Sequence, residues 1–212
     1  MKDMPMFSTE LGVASLVLRE IPYRKEAYIR YRSGENIPAF IEECRSFCTA
    51  VGAEHVYVTG LEDASLYPEY ASILRMKMPV DSLPESNASL FPVQENTMDV
   101  WRQWYNEKMQ NVPAASYMTD RKAKEMLEKG SAYFVHKNGK CIGIGAVWEH
   151  PLQGVAALVP GAGAETVAAL CRGLIDEDVS LEVASTNTKA IRLYHKLGFV
   201  TVAKVETWYR VL

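Results

Sequence analysis

Ser180-Leu181-Glu182-Val183-Ala184-Ser185-Thr186-Asn187-Thr188-Lys189-Ala190-Ile191-Arg192-Leu193-Tyr194-His195-Lys196-Leu197-Gly198-Phe199 is the stretch on which the reading of this chain turns. The run Val179 to Ala184 is β-rich, and Asn187 then caps a helix whose apolar positions Ala190, Leu193, Tyr194 and Leu197 share one face. Gly198 stops that helix, and Phe199 folds back over it. Upstream, Gly154 to Val159 reads as a buried strand and Pro160-Gly161-Ala162-Gly163-Ala164 as a tight loop. A helix from Glu165 to Ile175 then aligns Val167, Leu170, Cys171 and Leu174. Downstream, Thr201 to Leu212 alternates well enough for one long strand or a hairpin.

Further from this segment, Ser131 to His136 and Cys141 to His150 are β-rich runs joined by Lys137-Asn138-Gly139, where Asn-Gly suits a hairpin turn at positive φ. Gly143 and Gly145 inside the second run predict a bulge or a close backbone approach. Thr119 caps a helix to Lys129, with Asp120 in its first turn and Gly130 at its end. Met98 to Gln110 is a helix with Val100, Trp101, Trp104, Tyr105 and Met109 as a stripe, and Leu90 to Val93 a short strand before it. Pro79 to Pro92, with three prolines and three serines, reads as a linker, which sets a domain boundary near residue 84. Before it, strands are expected at Val13 to Glu20, Glu26 to Tyr31 and His55 to Thr59, with Pro22 marking a turn. Helices are expected from Pro38 to Val51, where Phe40, Ile41, Cys44, Phe47 and Cys48 recur at three and four, and from Glu69 to Met78. The helix and strand at 38–51 and 55–59 mirror those at 165–175 and 179–184, each pair followed by a further helix, the order a degenerate half-repeat would show.

With 212 residues and 48% hydrophobic residues the chain can bury a core in one domain or two small ones. Its 23 Lys and Arg against 26 Asp and Glu leave a net charge of −3 with no like-charge block, which argues against nucleic acid as partner. No apolar run nears the ~20 residues that cross a bilayer, and Met1 to Glu10 lacks the order of a signal peptide, so a soluble, cytoplasmic protein without membrane partners is expected. Cys44, Cys48, Cys141 and Cys171 form no C-x-x-C pair and are read as reduced thiols. The four histidines are too scattered for a local zinc site, and no metal is expected.

The order strand, Asn187, two residues, Ala190, Leu193-Tyr194, Gly198-Phe199 resembles the end of the GNAT superfamily of acyl-CoA N-acyltransferases. The resemblance is most specific over residues 154–200 and fits the order of elements from residue 88 onward. It implies an α+β (α/β) fold: a mixed, mostly antiparallel central sheet with splayed parallel strands over residues 85–212. Residues 1–84 add a smaller N-terminal α/β domain outside the resemblance. It also implies acetyl-CoA as cosubstrate, held between the strands 154–159 and 179–184. The cofactor-binding residues would be Leu158, Val159, Gly161, Ala162, Gly163 and Ala164 at the pyrophosphate and Asn187 at the pantetheine arm. The loop departs from the family's Arg/Gln-x-x-Gly-x-Gly/Ala, because Leu158 stands where Arg or Gln is usual. Glu165, next to the loop, would repel a phosphate unless it points away.

Tyr194 matches the family's general acid, a phenol that protonates the departing thiolate; helix position alone would make it a core tyrosine. Asn187 read by itself is an N-cap worth about 1 kcal/mol. For the base that takes the amine's proton, Glu149 ranks first, with His150 and Glu182 as further candidates, and each taken singly is better explained as a solvated charge or a satisfied polar edge. The leading expectation is an N-acetyltransferase that joins an acetyl group to a small-molecule amine, or a peptide, by direct attack in a ternary complex, with a homodimer left open. The alternative is a catalytically weak acyl-CoA-binding or sensing protein on the same fold.

Overall fold

The computed structural model describes residues 4–148, 151–175 and 178–211. In chain order its elements are β1 (Met6–Thr9), β2 (Gly12–Val17), α1 (Ile21–Arg24), β3 (Glu26–Gly34), α2 (Ile37–Ala50), β4 (His55–Thr59) and β5 (Glu69–Pro79). After a short 3₁₀ turn at Val80–Ser82 come β6 (Ser89–Pro92), α3 (Met98–Met109), α4 (Asp120–Glu128), β7 (Ala132–Lys137), β8 (Lys140–Val147) and β9 (Pro151–Ala157). The chain ends with α5 (Gly163–Leu174), β10 (Asp178–Ala184), α6 (Thr188–Leu197) and β11 (Val200–Arg210). It divides into two compact units, residues 1–73 with 204–212, and residues 74–203.

That division differs from a single boundary near residue 84. The proline-rich stretch belongs to the second unit because Leu83 is buried and its carbonyl accepts from Arg172 Nε of α5 at 2.9 Å. Glu69 to Met78 is likewise a strand and no helix: Met76 and Met78 point inward while Arg75 and Lys77 point out, a period of two. The helix-favouring residues Ala, Leu, Met, Arg and Lys masked that alternation. With β5 a strand, the helix expected to complete the first half-repeat is absent among the described residues.

In the first unit β1, β2 and β3 are antiparallel neighbours, and β3 pairs with β4 in parallel across the helix α2. Arg210 and Tyr209 of β11 then pair antiparallel with β4. Asn36 caps α2, whose Phe40, Ile41, Cys44 and Cys48 pack on Ala27, Ile29, Val56 and Val58 of the sheet. Phe47, expected on that buried face, is 39% exposed with its ring against Phe7. Pro22, expected in a turn, stands in the first turn of α1.

The second unit has the strand order β5-β10-β9-β8-β7-β6. Asn138 and Gly139, at φ 52° and 75°, make the expected tight turn between β7 and β8. One face of this sheet packs Leu152, Val179, Leu181 and Val183 against Val167, Leu170 and Cys171 of α5 and Tyr194 of α6. The other packs Phe134, Ile144, Ala146 and Ala156 against Met98 and Trp101 of α3 and Ala123 of α4. Gly143 and Gly145 permit a close approach by α5, since a Cβ at either would strike Thr166 or Leu170.

Candidate functional site

Among the described residues strands β9 and β10 pair in parallel at Pro151 with Ser180 and Leu152 with Leu181, and no pair follows toward the end of β9. The divergence begins in β9 itself. Gly154 has φ +51°, and the register of β9 on β8 shifts between Ile144 and Ala146. Only a glycine fits there, because a Cβ would lie 2.6 Å from Tyr105 Cε2 of α3. The aromatic stripe of α3 thus shapes the bulge: Trp101 is fully buried, its Nε1 donates to Tyr133 O at 3.1 Å, and Tyr105 stacks on it. A slot between diverging strands leaves backbone donors and acceptors facing it, ready for an extended chain of amides.

Beyond the slot the chain turns into α5. Leu158 packs on the α3 side of the core and contributes no side chain to the loop, which accounts for an apolar residue at that position. Its N–H and that of Val159 bond Ile142 O, and the N–H of Ala162 bonds Val159 O at 3.1 Å. Gly161, Gly163 and Ala164 therefore keep the amides of this turn that have no acceptor among the described residues. Gly163 and Ala164 belong to the first helical turn, which begins two residues earlier than the sequence suggested, and the N-cap Ala162 makes no side-chain bond to them. Such a helix end attracts an anion.

Glu165, the residue that would oppose an anion there, is turned aside. Its Oε1 accepts from Ser86 Oγ at 2.8 Å and Asn87 N at 3.2 Å, and its Oε2 from Lys137 Nζ at 2.7 Å. The bond from Lys137, followed by that from Ser86, holds its carboxyl below the usual carboxylate range.

On α6, Asn187 Oδ1 accepts from Ala190 N at 3.2 Å, so the capping role is realised and the Nδ2 donor is left over. Gly198, at φ 104°, closes the helix, and Phe199 packs edge-on to Tyr194 with 5.7 Å between centroids. Tyr194 is 7% exposed, and its hydroxyl has no hydrogen-bond partner among the described residues. Burial, then the neighbouring Cys171, pushes its pKa up to about 12. Cys171 is itself fully buried, and burial pushes its thiol up to about 12, a protonated and unreactive group.

Glu182 lies opposite, on the side of β10 turned away from α5 and α6, where Arg75 of β5 pairs with it. Glu149 and His150 lie outside the described residues. Arg75 escaped the sequence reading because its segment was taken as a helix, and Lys137 because a hairpin tip gives no local sign of what it meets. Among the described residues no group of three or more His, Cys, Asp or Glu is placed to hold a metal ion, and no helix is long and apolar enough to cross a membrane.

No protein-family model matches the sequence, and neither does any curated protein. Solved structures do match its fold. A GCN5-related N-acetyltransferase from Sphaerobacter thermophilus aligns with TM-score 0.61 over 93% of this chain and 75% of its own, at 12% identity. The chain has the GNAT fold. A second GNAT-fold neighbour, the GCN5-related N-acetyltransferase from Kribbella flavida, covers 99% of this chain and 89% of its own with TM-score 0.53 and 12% identity. A functionally unknown conserved protein from Staphylococcus epidermidis covers 98% and 93% with TM-score 0.61, again at 12% identity. The mixed α+β architecture with its mixed sheet matches these neighbours, as the sequence resemblance implied.

Proposed function

We propose that the second unit transfers an acetyl group from acetyl-CoA to a primary amine of a small molecule or peptide. The observation that carries this reading is the slot: β9 and β10 separate after two register pairs, with free amides at Gly161, Gly163 and Ala164 at one end and Asn187 and Tyr194 on the helix that follows β10. The pantetheine amides of the cosubstrate match the open backbone groups of β9, and Asn187 Nδ2 has one further donor to give. The pyrophosphate matches the uncapped start of α5, where Glu165 is already neutralised by Lys137.

The cosubstrate supplies an activated thioester; the protein supplies orientation and charge stabilisation. As the amine nitrogen bonds the acetyl carbon, the carbon–sulfur bond breaks and negative charge gathers on sulfur. Tyr194, kept protonated by burial, donates a hydrogen bond to that sulfur. A thiol titrates near 8.5, so complete transfer from a phenol at about 12 is uphill by roughly 5 kcal/mol. Tyr194 thus acts as a donor that steadies the thiolate, which takes its proton from solvent after release. The proton lost by the amine leaves on the opposite side, where Glu182 lies. The buried, protonated Cys171 offers no covalent route, in keeping with direct attack.

Calorimetry with acetyl-CoA and CoA, followed by thiol release across a panel of amines, tests the reading. Binding with turnover supports it. Binding without turnover of any amine favours the acyl-CoA-binding alternative, and absence of binding refutes both.

A further inference from the structure

Glu182 is the first residue of β10 past its last pair with β9, so its carboxylate stands where the slot opens. Arg75 Nη2 and Nε both donate to its Oε1, at 2.8 and 3.3 Å, which leaves Oε2 without a partner among the described residues. The two side chains are about half exposed, at 44% and 49%. Lys77 follows two residues later on the same exposed side of β5. The mouth of the slot on the face away from Tyr194 therefore presents one carboxylate, the guanidinium paired with it, and a second cation.

A charge pair of this kind selects its ligand by charge complementarity. A simple ammonium that bonded the open Oε2 of Glu182 would stand beside Arg75 and Lys77 as like charges, with nothing of its own to offset them. A zwitterion supplies that offset, its ammonium on Glu182 Oε2 and its carboxylate on the cations Arg75 and Lys77. We propose, on the basis of the acetyltransferase reading, that the acceptor is an amine that carries its own carboxylate, a free amino acid or short peptide. Glu182 seats the amine at the slot and Arg75 with Lys77 selects the carboxylate.

The experiment compares matched acceptors that differ by the carboxylate alone, phenylalanine with phenethylamine and lysine with cadaverine, beside the remaining amino acids and glycyl dipeptides. Thiol release is measured on the full chain after calorimetry has established acetyl-CoA binding. The expected result is a kcat/KM at least tenfold higher for the carboxylate-bearing member. Arg75→Gln should erase about tenfold of that preference through KM, with CoA affinity unchanged, and Arg75→Lys should restore part of it. Equal use of the decarboxylated amines, a preference untouched by Arg75→Gln, or no amino acid or dipeptide used by a protein that binds acetyl-CoA would each overturn the proposal while leaving the cosubstrate assignment intact. Absence of acetyl-CoA binding would overturn both.

Discussion

Removal of one oxygen, Tyr194→Phe, separates the catalytic role of that residue from its packing role. The ring sits in the cluster formed by α5, α6 and the sheet, edge-on to Phe199, and the hydroxyl makes no bond to a described residue. Folding stability should therefore change by no more than about 0.5 kcal/mol at neutral pH. A hydrogen bond to a charged sulfur contributes about 1.5–3 kcal/mol, so kcat should fall about 10- to 150-fold with acetyl-CoA affinity preserved. Single-turnover thiol release at saturating acetyl-CoA, with calorimetry alongside, reads both quantities. The pH dependence supplies a second arm. The folded phenol titrates at about 12 and the unfolded one near 10, so its contribution to stability is complete below pH 10 and is lost as pH rises toward 12. Over that interval the wild type should lose about 2–3 kcal/mol relative to Tyr194→Phe, and the rate should show no basic limb from this group below pH 11. An unchanged kcat in a chemistry-limited assay would refute the reasoning and leave Tyr194 a packing residue.

Asn187→Asp keeps the cap on α6 and removes the Nδ2 donor, so CoA should bind about tenfold more weakly in a protein of unchanged stability; Asn187→Ala should also lose about 1 kcal/mol of folding stability, measured by urea unfolding. Iodoacetamide at pH 8 should modify Cys141 in the native protein and spare the buried Cys44, Cys48 and Cys171, whose thiols are pushed up to about 12, 11 and 12; rapid native-state modification of Cys171, seen by mass spectrometry, would contradict its placement. Glu165 has a lowered carboxyl pKa, so its stabilising effect is present above about pH 4.3, the unfolded value, and is lost as pH falls through the folded one. Unfolding free energies of wild type and Glu165→Gln from urea titrations should differ by about 1 kcal/mol at pH 7, and the gap should narrow as pH falls below about 4.3; a gap that does not narrow in acid would mean that the Lys137 pair is not its source.

Local signals carried the second unit well. Asn187, Gly198 and the Asn138-Gly139 turn each specify a backbone conformation that few other residues accept, and His55–Thr59 was legible to the residue because its valines alternate between turn signals. Segments whose state is set by distant partners were not legible. Residues 69–79 contain good helix formers and become a strand because they lie beside β10. Residues 79–88 look like a linker and are fastened by Arg172 and Glu165 of α5, about 80 to 90 residues further along. The site divides in the same way. Asn187 and Tyr194 follow from motif spacing within one helix, whereas the slot depends on register between segments far apart in the chain, and Arg75 on the strand that the propensities concealed.

Both units run through a strand hairpin, a further antiparallel strand, a helix and a parallel strand, and two of the differences between them bear on ligand binding. Strands β3 and β4 stay paired through five register positions, from Glu26 with His55 to Arg30 with Thr59, whereas β9 and β10 have no pair past Leu152 with Leu181 among the described residues. The start of α2 is closed as well: Asn36 Oδ1 takes the N–H of Ala39 at 3.3 Å, and Pro38 has none to offer. At α5 the corresponding positions are Ala162, which cannot cap, and Gly163 and Ala164, whose amides are free. An amide-bearing arm that entered the first unit would have to break a complete ladder, at about 1–3 kcal/mol for each buried group left unpaired, and would meet a helix end that has already satisfied itself. In the second unit the same arm would meet no ladder pair past Leu152 with Leu181 among the described residues. The like order of elements therefore implies no like ligand, and the proposed cosubstrate assignment attaches to β9, β10, α5 and α6 of the second unit.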